Sequence, residues 1–199
     1  KQDYLAETGW QMNYDNWVAC ANMPNLNQHS ANSYQLDLNA QLNYFKGLAP
    51  APRSGLLYQF IKNEKLLICP EDTKVTTDTY LRYELISSYV WNGGIVGYPN
   101  TGGGSALVPT FKLSKFRAST ILQWENDEKN TSTGAWNDFS NFPLENGKPT
   151  FSARHGQAAQ VGRLDGSAAR ITMKEMVANA NSTTYRNDPW CNPNTTTGH

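Results

Sequence analysis

The segment Ala158-Ala159-Gln160-Val161-Gly162-Arg163-Leu164-Asp165-Gly166-Ser167-Ala168-Ala169-Arg170-Ile171-Thr172 decides the fold. Two alternating stretches flank Asp165-Gly166, the dipeptide preferred in tight two-residue hairpin turns. Asp165 tolerates positive φ there and Gly166 adopts it freely. The segment reads as an antiparallel hairpin, followed by a short helix over Met173–Ala180. Toward the N-terminus, Thr120–Trp124 is apolar and β-favouring and reads as a central strand. Ile86–Trp91 reads as a strand stopped by Asn92-Gly93-Gly94, and Leu66-Leu67-Ile68 as one leading into Cys69-Pro70. Asn126–Asn146 has the composition of a long surface loop, Thr101–Ser105 of a flexible one, and Asn181–His199 of an irregular tail.

Helical periodicity is confined to the first third. Leu5, Met12 and Trp17/Val18 recur at helical spacing with no capping residue ahead of them, so Lys1–Val18 is expected to be the end of a longer, truncated helix. Ser33–Lys46 carries Tyr34, Leu38, Leu42 and Phe45 on one stripe, with Gly47 placed to end it. Ala49–Pro52 reads as a stiff connector, and Ser54 as the cap of a brief helix bearing Leu56, Leu57, Phe60 and Ile61. Helices first and antiparallel strands afterwards predict an α+β fold. The expectation is one domain over residues 1–199, with an N-terminal helix laid on an antiparallel sheet of three to five strands.

Composition narrows the function. In 199 residues, 17 basic and 17 acidic side chains cancel, which argues against a nucleic-acid partner bound through bulk charge. Polarity comes instead from uncharged groups, 21 Asn among them, beside 12% aromatic residues. The three cysteines, Cys20, Cys69 and Cys191, permit at most one internal disulfide. No stretch approaches the ~20 apolar residues of a membrane span.

Short motifs recur along the chain in a particular order. Gln11–Asn16 is followed by Leu57-Tyr58-Gln59-Phe60-Ile61 leading to Cys69-Pro70-Glu71-Asp72, then by Ser87-Ser88-Tyr89-Val90-Trp91-Asn92 and Thr120–Glu125. His155, separated by nine residues from Asp165-Gly166, precedes Trp190-Cys191-Asn192-Pro193. This series resembles the pilin-like proteins of the prepilin-type H-x9-DG group, relatives of type IV pilins and of the major pseudopilin of type II secretion. The resemblance covers nearly the whole chain except the processing site and hydrophobic helix that define such proteins. It implies a structural role without catalysis: an exported head domain, anchored in the inner membrane by an N-terminal helix and then built into a periplasmic or extracellular filament with other pilin-like subunits. Related pseudopilins also suggest a calcium site, for which Glu125, Asp127, Glu128, Asp138 and Asp165 are the candidate ligands, although no compact D-x-D-x-D-G loop is present.

Other chemistries have weaker signals. Glu125 and Asp127 would share one face of a strand, the placement a hydrolase's carboxylate pair would need, and His155 with a carboxylate is the other such pairing, but the spacing is equally that of a solvated strand end. His155 itself reads as a packed histidine hydrogen-bonded at the start of the hairpin. No nucleophile elbow, zinc-protease helix or phosphate loop occurs. Trp91, Trp124, Trp136, Tyr98 and Trp190 define an alternative, a secreted carbohydrate-binding or adhesion module that stacks sugars on an aromatic platform.

Overall fold

Gln2–Leu5 (β1) and Gly9–Met12 (β2) pair antiparallel, with Tyr4 opposite Trp10 and Leu5 opposite Gly9. This hairpin replaces the expected helical start. A glycine inside a helix costs about 1 kcal/mol, and Tyr4 and Trp10 are strand formers. The computed structural model describes residues 2–5, 9–12, 38–48, 54–72, 86–96, 111–127, 140–145 and 147–198. They fall into two compact units, Lys1–Ser88 with Gly134–Phe139 and Tyr89–Thr133 with Ser140–His199.

In the first unit, Leu38–Lys46 forms helix α1. Gly47, at φ 72°, ends it, and the Leu48 amide donates to the Asn43 carbonyl at 2.9 Å, the closure that a left-handed glycine permits. Its buried stripe runs through Gln41, Tyr44 and Phe45, while Leu42 is only half-buried, a rotation away from the expected Leu38–Leu42–Phe45 line. Phe45 meets the edge of Tyr58 at 5.2 Å, and its carbonyl accepts from Gly55. Tyr34 lies outside the described residues.

Tyr58–Ile61 (α2) begins without a side-chain cap, so Ser54 does not cap it. Leu56 and Phe60 are exposed there. The expected strand at Leu66–Ile68 is instead a 3-10 turn over Glu64–Leu67. The Asn63 side chain accepts from the Lys65 amide at 3.1 Å, and such local bonding draws backbone away from a sheet ladder.

The second unit is organised on a mixed five-stranded sheet. Its members are Tyr89–Asn92 (β3), which leads into a single turn Gly93–Val96 (α3), Ile121–Glu125 (β4) and Ser140–Asn141 (β5). Leu144–Glu145 (β6) and Lys148–Pro149 (β7) make a separate small pair, and Ala158–Arg163 (β8) and Ala168–Thr172 (β9) complete the main sheet. The order is β5-β3-β4-β8-β9, antiparallel throughout except for the parallel β3–β5 pair, which the all-antiparallel expectation missed. β4 lies at the centre, with Ile121 and Trp124 buried beside Val90 and Val161. Trp124 stacks on Phe151 with centroids 4.5 Å apart. Met173–Ala180 (α4) packs against β9 and β7 and buries Met176 and Ala180. The fold is α+β.

The β8–β9 turn differs in detail from the two-residue form. Gly166 donates to the Arg163 carbonyl at 3.0 Å and Arg163 donates to the Ser167 carbonyl at 2.9 Å. The loop is therefore Leu164-Asp165-Gly166, a turn closed by a glycine bulge, and positive φ falls on Gly166 and not on Asp165. Asp165 accepts from the Ser167 amide at 2.9 Å, and hydrogen bonding first by the Ser167 side chain and then by that amide holds its carboxyl below the usual range.

Helix α4 starts with a reciprocal cap. Thr172 Oγ1 accepts from the Glu175 amide, and Glu175 Oε2 accepts from the Thr172 amide at 2.9 Å. Those Thr172 bonds, the amide first, hold the Glu175 carboxyl below its ordinary 4.5. A depressed carboxylate contributes its stabilisation above the unfolded value and loses it as pH falls through the folded one. Thr172→Ala is expected to cost about 1 kcal/mol in urea unfolding at neutral pH. The deficit relative to wild type should shrink as pH falls from 4.5 through the lower folded pKa of Glu175, where the partner carboxyl takes up its proton.

Candidate functional site: a framework of motif side chains

The recurring motifs converge on buried hydrogen bonds. In the first unit, Cys69 and Asp72 bracket a turn in which the Asp72 amide donates to the Cys69 carbonyl at 2.9 Å, with Pro70 exposed at its crest. Ser88 Oγ accepts from the Cys69 amide at 2.9 Å and donates to Asp72 Oδ2 at 2.6 Å. The Ser88 amide reaches the Leu67 carbonyl. Ser88, Asp72 and Cys69 are all buried. The cysteine–proline turn and Ser88 thus form one clasp within the first unit.

A second clasp lies in the second unit. Asn92, fully buried at the end of β3, donates from Nδ2 to the Ile121 carbonyl at 2.7 Å and the Pro189 carbonyl at 2.6 Å. It thereby ties the central strand to the tryptophan–cysteine tail. Trp190 Nε1 donates to Ala180 at the end of α4, and Gly198 is pressed so closely on Asn187 that an added Cβ would lie 3.1 Å from its backbone. Cys191 is a free, buried thiol at φ 54°. Burial, aided by the Asp188 carboxylate, pushes its pKa up to about 12, so it stays protonated and unreactive at neutral pH.

The third clasp belongs to the histidine. Glu125 ends β4 with no exposure, Oε1 lying 2.9 Å from His155 Nε2 and Oε2 accepting from the Gln160 amide at 2.7 Å. The His155 amide donates to the Ala158 carbonyl, and Arg170 on β9 donates to the His155 and Gly156 carbonyls at 2.7 and 2.9 Å. That guanidinium holds a turn whose next two residues, Gly156 and Gln157, both have positive φ. Glu125 is therefore not the solvated strand end its spacing with Asp127 suggested.

Among the described candidate ligands, Asp165 and Glu125 are not brought together. Asp165 sits at the hairpin tip, where its amide donates to Ala118, at the opposite end of β4 from Glu125. At ~3.3 Å per residue the separation is on the order of 20 Å, too far for one calcium ion. Asp127 follows β4, its amide bonded to Thr150. Glu128 and Asp138 lie outside the described residues. Glu125 has both oxygens engaged by protein groups. Trp124 is core, so it forms no part of an aromatic platform, while Trp91 and Trp190 are half-buried and Tyr98 and Trp136 lie outside the described residues.

Burial of Glu125, Ser88 and Asn92 was not readable from their residue types, which usually sit at the surface. Arg170 was missed altogether. Its place opposite Gln160 in an alternating hairpin is the signal that would have found it.

Comparison of the chain with protein-family models, with curated proteins and with solved structures finds no match.

Proposed function

We propose that this chain is the head domain of a pilin- or pseudopilin-like filament subunit, with a structural and not a catalytic role. One observation carries the reading. The motifs that resemble the prepilin-type group stand in order, and their residues His155, Asp72, Ser88 and Asn92 are each engaged in internal hydrogen bonds within their own unit. Side chains used this way hold a framework whose loops are free to vary. In this reading an apolar helix encoded ahead of Lys1 anchors the precursor in the inner membrane and ends before the β1–β2 hairpin. Once the helix leaves lipid it must bury its surface against copies of itself, so assembly takes the place of the bilayer.

The test is the reading frame upstream of Lys1 together with microscopy. The frame is expected to encode a prepilin-type cleavage site and ~20 apolar residues. Co-expression with a prepilin peptidase should give filaments that a charged substitution in that apolar stretch abolishes. A plain cleavable leader, with no filaments formed, would sink the proposal.

A further inference from the structure

At one end of the second unit the chain turns over a short exposed knuckle. Leu113–Lys115 is a 3-10 turn, closed by the Lys115 amide on the Lys112 carbonyl at 2.9 Å and the Phe116 amide on the Leu113 carbonyl at 3.0 Å. Leu113 stands 69% exposed at the turn, with exposed Lys112 and Lys115 on either side. Phe111 and Phe116, which flank the turn in the chain, meet edge to face at 6.1 Å. Arg117 follows, half in solvent, anchored on the Arg186 carbonyl at 2.8 Å and 3.6 Å from Asp188.

The charge distribution here is uneven in a chain whose total is zero. No acidic residue occurs from Phe111 to Trp124, and three cations fall within Lys112–Arg117. Among the described residues neither lysine makes an ion pair. An isolated cationic face would be satisfied by water alone, and a nucleic-acid backbone would gain nothing from a protruding leucine. An exposed leucine flanked by exposed lysines, in a segment that also carries an aromatic pair, has the chemistry of an interfacial anchor: the apolar tip enters the boundary between headgroups and acyl chains while the ammonium groups meet lipid phosphates.

We propose that the Phe111–Arg117 knuckle docks the chain on an anionic phospholipid surface, inserting Leu113 between the headgroups. The proposal does not depend on filament assembly. Each lysine near an anionic surface contributes enough that Lys112→Gln with Lys115→Gln should lower the partition coefficient about thirtyfold. Both side chains are exposed, so the double variant should melt with the wild type.

Flotation tests it. The purified chain should rise with vesicles of phosphatidylcholine and phosphatidylglycerol in equal parts, and much less with phosphatidylcholine alone. High salt should release it. Leu113→Ser, with all three cations retained, should reduce binding about tenfold, the loss of one apolar side chain from the interface. Equal flotation with both vesicle types, no flotation with either, or unchanged binding of the double lysine variant would overturn the proposal. So would unchanged binding of Leu113→Ser.

Discussion

Glu125→Ala is expected to lower the unfolding free energy of the second unit by about 4 kcal/mol, read as a shift in urea midpoint followed by tryptophan fluorescence. The carboxylate is fully buried and serves two partners, His155 Nε2 and the Gln160 amide. Truncation leaves the Gln160 donor without a partner inside the sheet, at about 1–3 kcal/mol for an orphaned buried group. It also opens a cavity where the side chain stood, adjacent to core positions that relax only in part. His155→Ala should cost less, about 1–2 kcal/mol, because its ring is 22% exposed and water can replace it on Glu125. Glu125→Gln should fall between the two, since its amide oxygen still accepts from Gln160. If Glu125→Ala and His155→Ala proved equal and mild, the clasp would be no framework element, and the structural account of the His155 motif would fail with it.

That clasp marks the border of what the sequence discloses. The Ala158–Thr172 hairpin and α4 are legible because their signals are local: alternation over one sheet face, a glycine that alone takes positive φ, and Thr172 three residues before Glu175. The bounds of α4 come out of that pattern unchanged as Met173–Ala180. The centre of the sheet is legible at Thr120–Trp124 for a related reason, since β-branched and aromatic residues with no charge belong between neighbours. Where local signals compete, the reading goes astray. Asn63 outweighed the apolar run Leu66–Ile68 by capping a 3-10 turn. Gly9 and the aromatic pair Tyr4 and Trp10 outweighed a helical spacing that rested on three residues. The α1 stripe shifted because Gln41, a polar residue, is wholly buried. The parallel β3–β5 pair joins strands far apart in the chain, and β5 has only two residues, too short for any periodicity.

The functional residues follow the same division. The motifs His155, Cys69-Pro70 and Trp190-Cys191 are visible in the sequence as spacing. Their partners are not, because each bond crosses a long separation. Asn92 meets the Pro189 carbonyl 97 residues away, and Ser88 meets Asp72 across 16. Glu125 and Asp127 looked like a pair because they are two apart, yet the buried pairing of Glu125 is with residues 30 and 35 positions on. A carboxylate so placed orders a turn and a strand. It is poorly placed to activate water.

Asn92 gives the sharper test of the framework, through a substitution that changes almost no volume. Its amide has two protons and directs them at the carbonyls of Ile121 and Pro189, 2.7 and 2.6 Å away, with Cys191 Sγ at 3.8 Å. Asn92→Ala orphans both acceptors and is expected to cost about 3 kcal/mol. Asn92→Asp should be worse at neutral pH despite its matching shape. The introduced carboxylate has no proton to donate, faces two carbonyl oxygens at hydrogen-bond distance, and is out of reach of water. The pH dependence has a definite sign. Burial and the facing oxygens raise that carboxyl's folded pKa above its unfolded value, so the penalty is largest above the folded pKa and falls as the group is protonated and regains one donor. Stability of Asn92→Asp should therefore rise relative to wild type as pH drops from neutral toward 5. Because Pro189 belongs to the tail, amide exchange of Trp190–Gly198 should accelerate in both variants before β8 and β9 are affected. Protection retained through the tail in Asn92→Ala would mean that the Asn187–Gly198 closure holds the tail without its tie to the sheet, and within the second unit the β3 and tail motifs would then be separate elements.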